Sequence, residues 1–298
     1  MVRTEFAVIG GSYAGLSAAL QLARARRDVL VVDAGLRRNR FVDQAGETSH
    51  GFLSRDGEAP GAIAAEARRQ LDHYATVRWL YGTAGGASVE DDGRFRFRVG
   101  DEVVDAARLV LATGVRDELP AVEGLRERWG RSVFHCPYCH GYELGGGPIG
   151  IIAASELAQH HALMLPDWGR PTLFLNGAYA PTAEDLALFA RRGTAVERVP
   201  VVRIEGRADV VLADGRTLSM NGIFTQPRTI LASAVAEELG CAMAQGPMGA
   251  YIQVDAMQQT SVANIFACGD AARAAGNVAS AVADGAMAGI AAHRSTMV

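Results

Sequence analysis

The chain has 298 residues, of which 49% are hydrophobic, and it carries a net charge of −4. This length allows one large or two medium domains with a sizeable core, and the weak negative charge provides no basic field that would favour nucleic acid. Four cysteines are too few for a secreted disulfide framework, no apolar run is long enough to span a bilayer, and the N-terminus lacks a signal-peptide pattern. A cytoplasmic location is therefore expected.

Four predicted elements open the chain: an apolar strand over residues 6–9, a glycine turn over residues 10–15, a helix over residues 16–26 and a second apolar strand over residues 29–32. The second strand ends on Asp33. This order is typical of a βαβ unit that holds a pyrophosphate at the helix N-terminus and a ribose hydroxyl on the acid. Ser12 replaces the middle glycine of the motif, but it is small and its hydroxyl can bond phosphate. An ordinary crossover with a glycine turn is the alternative interpretation.

Two further apolar strands, over residues 108–112 and 264–268, are predicted to belong to the same unit. Each ends in a turn of small residues, at 113–114 and at 269–270. Asn277 is placed to cap the Ala-rich helix that follows the second turn. The N-terminal dipole of that helix would point at an electron-rich group.

The most informative motif is the pair Cys136 and Cys139, within the run HCPYCHGYE. A Cys-x-x-Cys pair can open and close a small disulfide ring, which favours redox chemistry. Half of a zinc site is the alternative, but zinc needs a second close pair of ligands. The remaining cysteines, Cys241 and Cys268, are single and far apart, and both are predicted to be structural. No metal site is expected.

In their order and spacing, these motifs resemble the low-molecular-weight thioredoxin reductases over nearly the whole chain. The matched pieces are the turn at 10–15, Asp33, the segments 112–114 and 269–270, and the cysteine pair. The resemblance implies an α/β fold of two Rossmann-like domains, each a three-layer ββα type that binds FAD or NAD(P), with the second inserted in the first. The FAD-binding domain would comprise 1–118 and 243–298, and the disulfide-bearing, NADPH-binding-like domain 119–242.

The same resemblance implies an FAD cofactor and a homodimer. Asp33 would bind the adenosine ribose, Asp270 the ribitol, and the start of the last helix the pyrimidine edge of the flavin. Cys139 would face the flavin, and Cys136 would meet the substrate. The residues expected to bind the cofactor are Gly10, Ser12, Tyr13, Ala14, Gly15, Asp33, His50, Thr113, Gly114, Gly269, Asp270, Asn277, Val278 and Ala279.

One departure from the reductases lies beside the cysteines. His140 occupies the position where the reductases have an acid–base aspartate, and Glu143 follows. A histidine with a pKa near 6.5 can move protons at neutral pH without being buried. This block looks more like the dithiol oxidases of the gliotoxin and holomycin type, which oxidise a small dithiol and return electrons to oxygen. The expected catalytic residues are Cys136, Cys139, His140 and Glu143.

A second departure makes NADPH a doubtful cofactor. After the strand over residues 148–152, the usual glycines are replaced by Ala153 and Ser155, and Glu156 adds repulsion. The loop at 176–178 is Asn-Gly-Ala, without the basic cluster that holds a 2′-phosphate in the reductases. Weak nucleotide binding by an altered loop is the alternative. His160-His161 follows on a predicted helix, with a surface or packing role expected.

Three functions remain open at this point. The first is an FAD-dependent thiol-disulfide oxidoreductase that oxidises a small dithiol with oxygen as acceptor. The second is a thioredoxin reductase-like enzyme acting on a disulfide or a thioredoxin-like protein, with NADPH or ferredoxin as donor. The third is a non-catalytic flavoprotein redox sensor, which would not need the acid–base group at His140. Neither nucleic acid nor a membrane is expected as a partner.

Overall fold

The computed structural model describes residues 1–297, and its secondary structure is mixed α and β. The strands are β1 Val2–Ile9, β2 Val29–Asp33, β3 Val77–Tyr81, β4 Ala84–Val89, β5 Phe95–Val99, β6 Glu102–Leu111, β7 Val115–Glu118, β8 Val133–Phe134, β9 Pro148–Ile152, β10 Arg170–Phe174, β11 Ala195–Glu197, β12 Val201–Glu205, β13 Asp209–Leu212, β14 Thr217–Ser219, β15 Gly222–Phe224, β16 Arg228–Leu231, β17 Met243–Gln245, β18 Ala250–Ile252 and β19 Ile265–Ala267. The helices are α1 Tyr13–Arg24, α2 Arg40–Ala45, α3 Pro60–Leu71, α4 Pro137–His140, α5 Ala158–Met164, α6 Ala183–Arg192, α7 Val235–Glu238 and α8 Val278–Arg294.

The chain forms two compact units. The outer unit comprises Met1–Arg40, Gly61–Arg116 and the chain from Thr229 onward, and the inserted unit comprises Phe41–Pro60 and Asp117–Arg228. This division differs from the domain limits expected from the sequence in two segments. Residues 229–242 lie in the outer unit, because α7 and Cys241 are buried in its apolar core. Residues 41–60 lie in the inserted unit, where Phe41 packs against Gly130 so closely that a side chain at position 130 would clash.

The main sheet of the outer unit follows from the predicted βαβ unit. Strands β3, β2, β1 and β6 are parallel neighbours in that order. Strand β6 changes partners along its length. Its first half pairs with antiparallel β5, and its last three residues pair with parallel β19. The turns after β1, β6 and β19 therefore lie together at the carboxyl edge of one parallel sheet, where α/β folds bind nucleotides.

Helices α1 and α8 cover this sheet in close contact. A Cβ atom at Gly285 would lie 2.0 Å from the carbonyl oxygen of Ala14, and one at Gly289 would lie 2.5 Å from that of Ala18. Since the two glycines are one turn apart in α8, only this small-residue face permits such an approach. The packing fixes the N-termini of both helices relative to the sheet.

The inserted unit has its own parallel sheet, in the order β11-β10-β9-β15-β8. Helices α5 and α6 pack on one face, and the antiparallel strands β12, β13 and β14 pack on the other. This is the predicted three-layer ββα arrangement. The residues that follow β8, β9 and β15 meet at the carboxyl edge of the sheet. Across the described chain, no helix is both long and apolar enough to cross a bilayer.

Candidate active site

The turn after β1 in the outer unit can be built only with glycine at two positions. Gly10 has a φ of 124°, and a Cβ atom there would lie 2.1 Å from the carbonyl oxygen of Ala112. At Gly15 a Cβ atom would lie 1.8 Å from the carbonyl oxygen of Gly10. Helix α1 then begins after Ser12, whose side chain makes no capping hydrogen bond. The chain therefore forms a tight glycine turn that leads directly into the N-terminus of α1. Turns of this kind bind a pyrophosphate.

Asp33 ends β2 beside this turn. A Cβ atom at Gly11 would lie 2.4 Å from the carboxyl carbon of Asp33, so position 11 must also be glycine for the acid to lie against the turn. One carboxylate oxygen accepts the N–H of Gly35 at 2.8 Å, which orients the group. The other lies 3.9 Å from the guanidinium of Arg68 and can still accept a ribose hydroxyl.

A second acidic group, Asp270, lies in the turn after β19. Its carboxylate accepts a hydrogen bond from Arg38 at 2.9 Å. A Cβ atom at Gly276 would lie 2.7 Å from the same carboxylate, so the backbone passes close to it. A small, open cavity is lined here by Arg38, Asp270, Arg273 and Gly276. Polar groups around a cavity at this sheet edge fit the middle of an elongated dinucleotide.

The other expected cofactor residues, except His50, lie in the same unit. Thr113 and Gly114 follow β6, Gly114 with a φ of 67°, and Gly269 has a φ of 68° where it packs against Ala14. Asn277 caps α8, as predicted, since its side chain accepts the N–H of Ser280 at 2.8 Å. Val278 and Ala279 form the first turn of that helix. The glycine turn after β1, the two aspartates and the N-termini of α1 and α8 together form a site that fits FAD.

The cysteine pair lies in the inserted unit, after β8. Cys136 is the N-cap of the one-turn helix α4, and Pro137 at the first helical position fixes its start. The N–H of Cys139 donates to the carbonyl oxygen of Cys136 at 3.2 Å, and the two sulfur atoms are 2.6 Å apart. Both residues are half-buried. A single helical turn therefore places two partly accessible sulfurs side by side, as disulfide exchange requires.

The environment of His140 differs from the one expected. Its ring stacks on Phe134, with 4.2 Å between ring centroids. Burial, and to a lesser extent the charge of His50, lower the pKa of His140 to about 4. From the sequence, His140 was expected to move protons with an ordinary pKa near 6.5, and its lowered pKa differs from that expectation because the stacking on the apolar ring of Phe134 was not foreseen. At neutral pH His140 is uncharged and can accept a proton.

His50 lies in the inserted unit beside Glu143. Its Nε2 is 3.4 Å from the Glu143 carboxylate and 2.9 Å from the hydroxyl of Thr48, and its Nδ1 is 3.6 Å from Asp56. The cofactor contact of His50 stays a prediction, and its contact with Glu143 was not foreseen from the sequence. The two residues are distant in sequence, so no local pattern could indicate this. The contact joins two groups able to hold a proton near the cysteines.

The loop after β9 does not have the form of a nucleotide turn. Ser155 accepts the N–H of Leu157 at 3.3 Å, and the short helix α5 begins only at Ala158. After β10, Asn176 has a φ of 48°, and its side chain accepts the N–H of Val201 at 3.0 Å. The side chains of Ser155 and Asn176 therefore form hydrogen bonds with the protein's own backbone, which stabilise the two loops. Cys241 and Cys268 are buried, with thiol pKa values raised by burial, as predicted for structural cysteines.

Comparison with known proteins agrees with this geometry. Residues 4–285 match the model of the pyridine nucleotide-disulphide oxidoreductase family. Thioredoxin reductase tcpT of Claviceps purpurea is 33% identical, over 95% of this chain and 91% of that protein. The crystal structure of an oxidoreductase from Agrobacterium tumefaciens is 56% identical, with a TM-score of 0.95 over 99% of both chains. That of HlmI is 35% identical, with a TM-score of 0.90 over 99% of this chain and 92% of that one. The chain therefore belongs to the pyridine nucleotide-disulphide oxidoreductase family and is a thioredoxin reductase-like, FAD-binding disulfide oxidoreductase.

Proposed function

We propose that this protein is a dithiol oxidase, which converts a small-molecule dithiol to its intramolecular disulfide and uses oxygen as the final electron acceptor. The proposal rests on a contrast between the segments that follow β8 and β9, two strands of the sheet in the inserted unit. The Cys136–Cys139 pair after β8 keeps its redox geometry, whereas the loop after β9 lacks the glycines that would hold the pyrophosphate of NADPH. An enzyme with a working disulfide and an impaired nucleotide site needs another electron source.

The exchange begins with the cysteine pair as a disulfide. A substrate thiolate attacks the sulfur of Cys136, the bond between Cys136 and Cys139 breaks, and Cys139 leaves as a thiolate. The second substrate thiolate then attacks the substrate sulfur of this mixed disulfide. The cyclic disulfide is released, and Cys136 leaves as a thiolate. Two electrons have passed from the substrate to the cysteine pair, and two protons have left the substrate thiols.

FAD, when bound, supplies an acceptor for these two electrons and a route to oxygen, which becomes hydrogen peroxide. The residues that would hold it are those of the outer unit. Asp33 would bind the adenosine ribose, the turn from Gly10 to Gly15 the pyrophosphate, Asp270 the ribitol, and the first turn of α8 the pyrimidine edge. The outer unit would thus be the FAD domain and the inserted unit the disulfide domain.

The protons of the substrate thiols are assigned to His140 and the His50–Glu143 contact. His140 follows Cys139 directly, and because burial lowers its pKa to about 4, its ring is neutral at pH 7 and can hold a thiol proton only transiently. A weak base returns that proton readily. Glu143, 3.4 Å from His50 and at the protein surface, provides a place for it on the way to solvent. His140 would therefore pass each proton on to the His50–Glu143 contact and would itself be unprotonated most of the time at pH 7.

Replacing His140 with alanine should lower kcat/KM for dithiol oxidation by about 10²-fold. Positioned bases contribute roughly 10²–10⁴ in rate, and a pKa of about 4 favours the lower end. His160→Ala is the matched control, since His160 is an exposed histidine on α5. The ratio of wild-type to His140→Ala rates should stay constant from pH 8 to about pH 5.5 and shrink toward pH 4, where His140 is protonated. A ratio that already shrinks near pH 6.5 would contradict the lowered pKa of His140.

Aerobic turnover tests the proposed function. With dithiothreitol as a small dithiol, the FAD-loaded protein should consume oxygen and release one hydrogen peroxide per disulfide formed. Monothiols at equal thiol concentration should react far more slowly, because they cannot resolve the mixed disulfide internally. Reduction of oxidised thioredoxin by NADPH is the competing reaction, suggested by the name of the Claviceps purpurea relative. If that reaction is fast and dithiol-dependent oxygen uptake is absent, the protein is a reductase. A homodimer and a cytoplasmic location accompany the proposal.

A further inference from the structure

A buried histidine contacts the backbone next to the cysteine pair. His161, on α5, is 2% exposed, and its Nε2 lies 2.9 Å from the carbonyl oxygen of His135. His135 immediately precedes Cys136. The ring of His161 also packs edge-on against Phe224, with 5.8 Å between ring centroids. Helix α5 and β15 therefore fix the direction from which this imidazole meets the chain before Cys136.

The protonation state of His161 follows from its partner. A carbonyl oxygen only accepts hydrogen bonds, so the proton of the neutral ring must be on Nε2 and Nδ1 must be bare. Burial is the main cause that lowers the pKa of His161 to about 4, so the ring is neutral at pH 7. Nδ1 is buried and has no hydrogen-bond partner among the described residues. A buried acceptor without a donor is unfavourable, and an apolar ring would avoid it. The polar interaction that distinguishes His161 from an apolar ring at this position is therefore the hydrogen bond that Nε2 donates.

We propose that His161 is a positioning residue for the redox pair, whose Nε2–H fixes the carbonyl of His135 and thereby the place of the Cys136 sulfur beside Cys139. The peptide group between His135 and Cys136 is planar, so fixing its carbonyl also fixes its N–H and the starting direction of Cys136. Cys136 in turn is the N-cap that begins α4. The inference rests on the proposed function only in that both require Cys136 and Cys139 to exchange a disulfide.

Releasing the His135 carbonyl should weaken the disulfide without unfolding the protein. A freed Cys136 samples more positions, which lowers its effective concentration at Cys139 and so the equilibrium constant for closing the ring. In His161→Phe, we expect this constant to fall about tenfold, which corresponds to about 30 mV in the reduction potential of the pair. His161→Gln should retain most of the wild-type value, because the glutamine amide can reach the position of Nε2. His161→Asn is also polar but too short, and should resemble His161→Phe.

The test is an anaerobic equilibration of the FAD-loaded protein with glutathione redox buffers. The dithiol and disulfide forms of the peptide that carries Cys136 and Cys139 are then alkylated and quantified by mass spectrometry. His160→Phe, on the exposed neighbour, is the matched control and should keep the wild-type constant. Circular dichroism and flavin absorbance monitor folding in every variant.

Two outcomes would overturn the inference. In the first, His161→Asn has a wild-type constant. In the second, His161→Gln and His161→Asn are equally shifted, which would indicate a general packing effect. This assay contains no dithiol substrate and no oxygen, so its result is separate from that of aerobic turnover. A shifted constant in a protein that does not oxidise dithiols would support the role of His161 and reject only the dithiol oxidase proposal.

Discussion

Replacing Cys139 with serine should reduce dithiol oxidation by more than about 10³-fold and should leave Cys136 able to form a stable mixed disulfide with the oxidised form of a small thiol. Serine cannot complete the disulfide, so electrons taken by Cys136 have no partner sulfur 2.6 Å away. When Cys139→Ser is given the oxidised form of a small thiol, a mixed disulfide at Cys136 should accumulate and be visible by mass spectrometry. Cys136→Ser should lose the same activity but form no such adduct. An adduct that forms in Cys139→Ser but not in Cys136→Ser would identify Cys136 as the cysteine that exchanges with the substrate.

A matched control is available within the chain. Cys241→Ser removes another thiol, but Cys241 is 6% exposed and burial raises its thiol pKa, so activity should stay within about twofold of wild type. Near-normal oxygen uptake by Cys139→Ser would show that electrons bypass the pair. Adducts on Cys139 rather than Cys136, in the reciprocal variant, would reverse the two roles.

The parts of the fold that could be predicted are those with local signals. The first βαβ unit has apolar strands, a glycine turn and an acid within a short stretch, and the structure confirms it as β1, α1 and β2. The cap at Asn277 was also predictable, because a side chain that accepts backbone N–H groups preceded an Ala-rich segment. These features depend on neighbours in the sequence, so no knowledge of the tertiary structure was needed.

The antiparallel strands were not predicted, although one of them carried a clear signal. Strand β5 alternates fully buried phenylalanines with exposed arginines, Phe95 to Arg98, which is the period of a half-buried strand. The sheet of β12, β13 and β14 has a weaker pattern. Segment 41–60 could not have been placed, because its contact with Gly130 depends on a glycine far away in the chain.

For the candidate site, the sequence indicated the residue types better than their environments. The Cys-x-x-Cys spacing determines a one-turn separation, so the closeness of the two sulfurs followed from it. The lowered pKa of His140 did not, because it depends on burial of the ring, which stacks on Phe134, and to a lesser extent on the charge of His50. The proposed role of His161 was equally hidden from the sequence. A histidine on a helix is predicted to be at the surface or in the core, and only its 2.9 Å contact with the carbonyl of His135 reveals a partner.

Weak binding of NADPH is expected from two missing sets of contacts. The residues after β9 offer no glycine cradle to the pyrophosphate, and the loop at 176–178 offers no cation to the 2′-phosphate. A hydrogen bond to a charged group contributes about 1.5–3 kcal/mol, so two such losses weaken binding by roughly 10²–10⁴-fold. The side chain of Asn176 already braces Val201, so it is not available as a substitute. Dithiols do not need this loop, because they react at Cys136.

Anaerobic mixing of the FAD-loaded protein with a reductant measures directly whether dithiols or NADPH supply its electrons. In a stopped-flow experiment, dithiothreitol should bleach the flavin absorbance, and Cys139→Ser should not be bleached. NADPH at the same micromolar concentration as dithiothreitol should take at least about 10²-fold longer to bleach the wild-type flavin. Admitting oxygen to the bleached protein should restore the absorbance and yield peroxide. Rapid bleaching by micromolar NADPH, with none by a dithiol, would contradict the proposed function and assign the protein to the reductases.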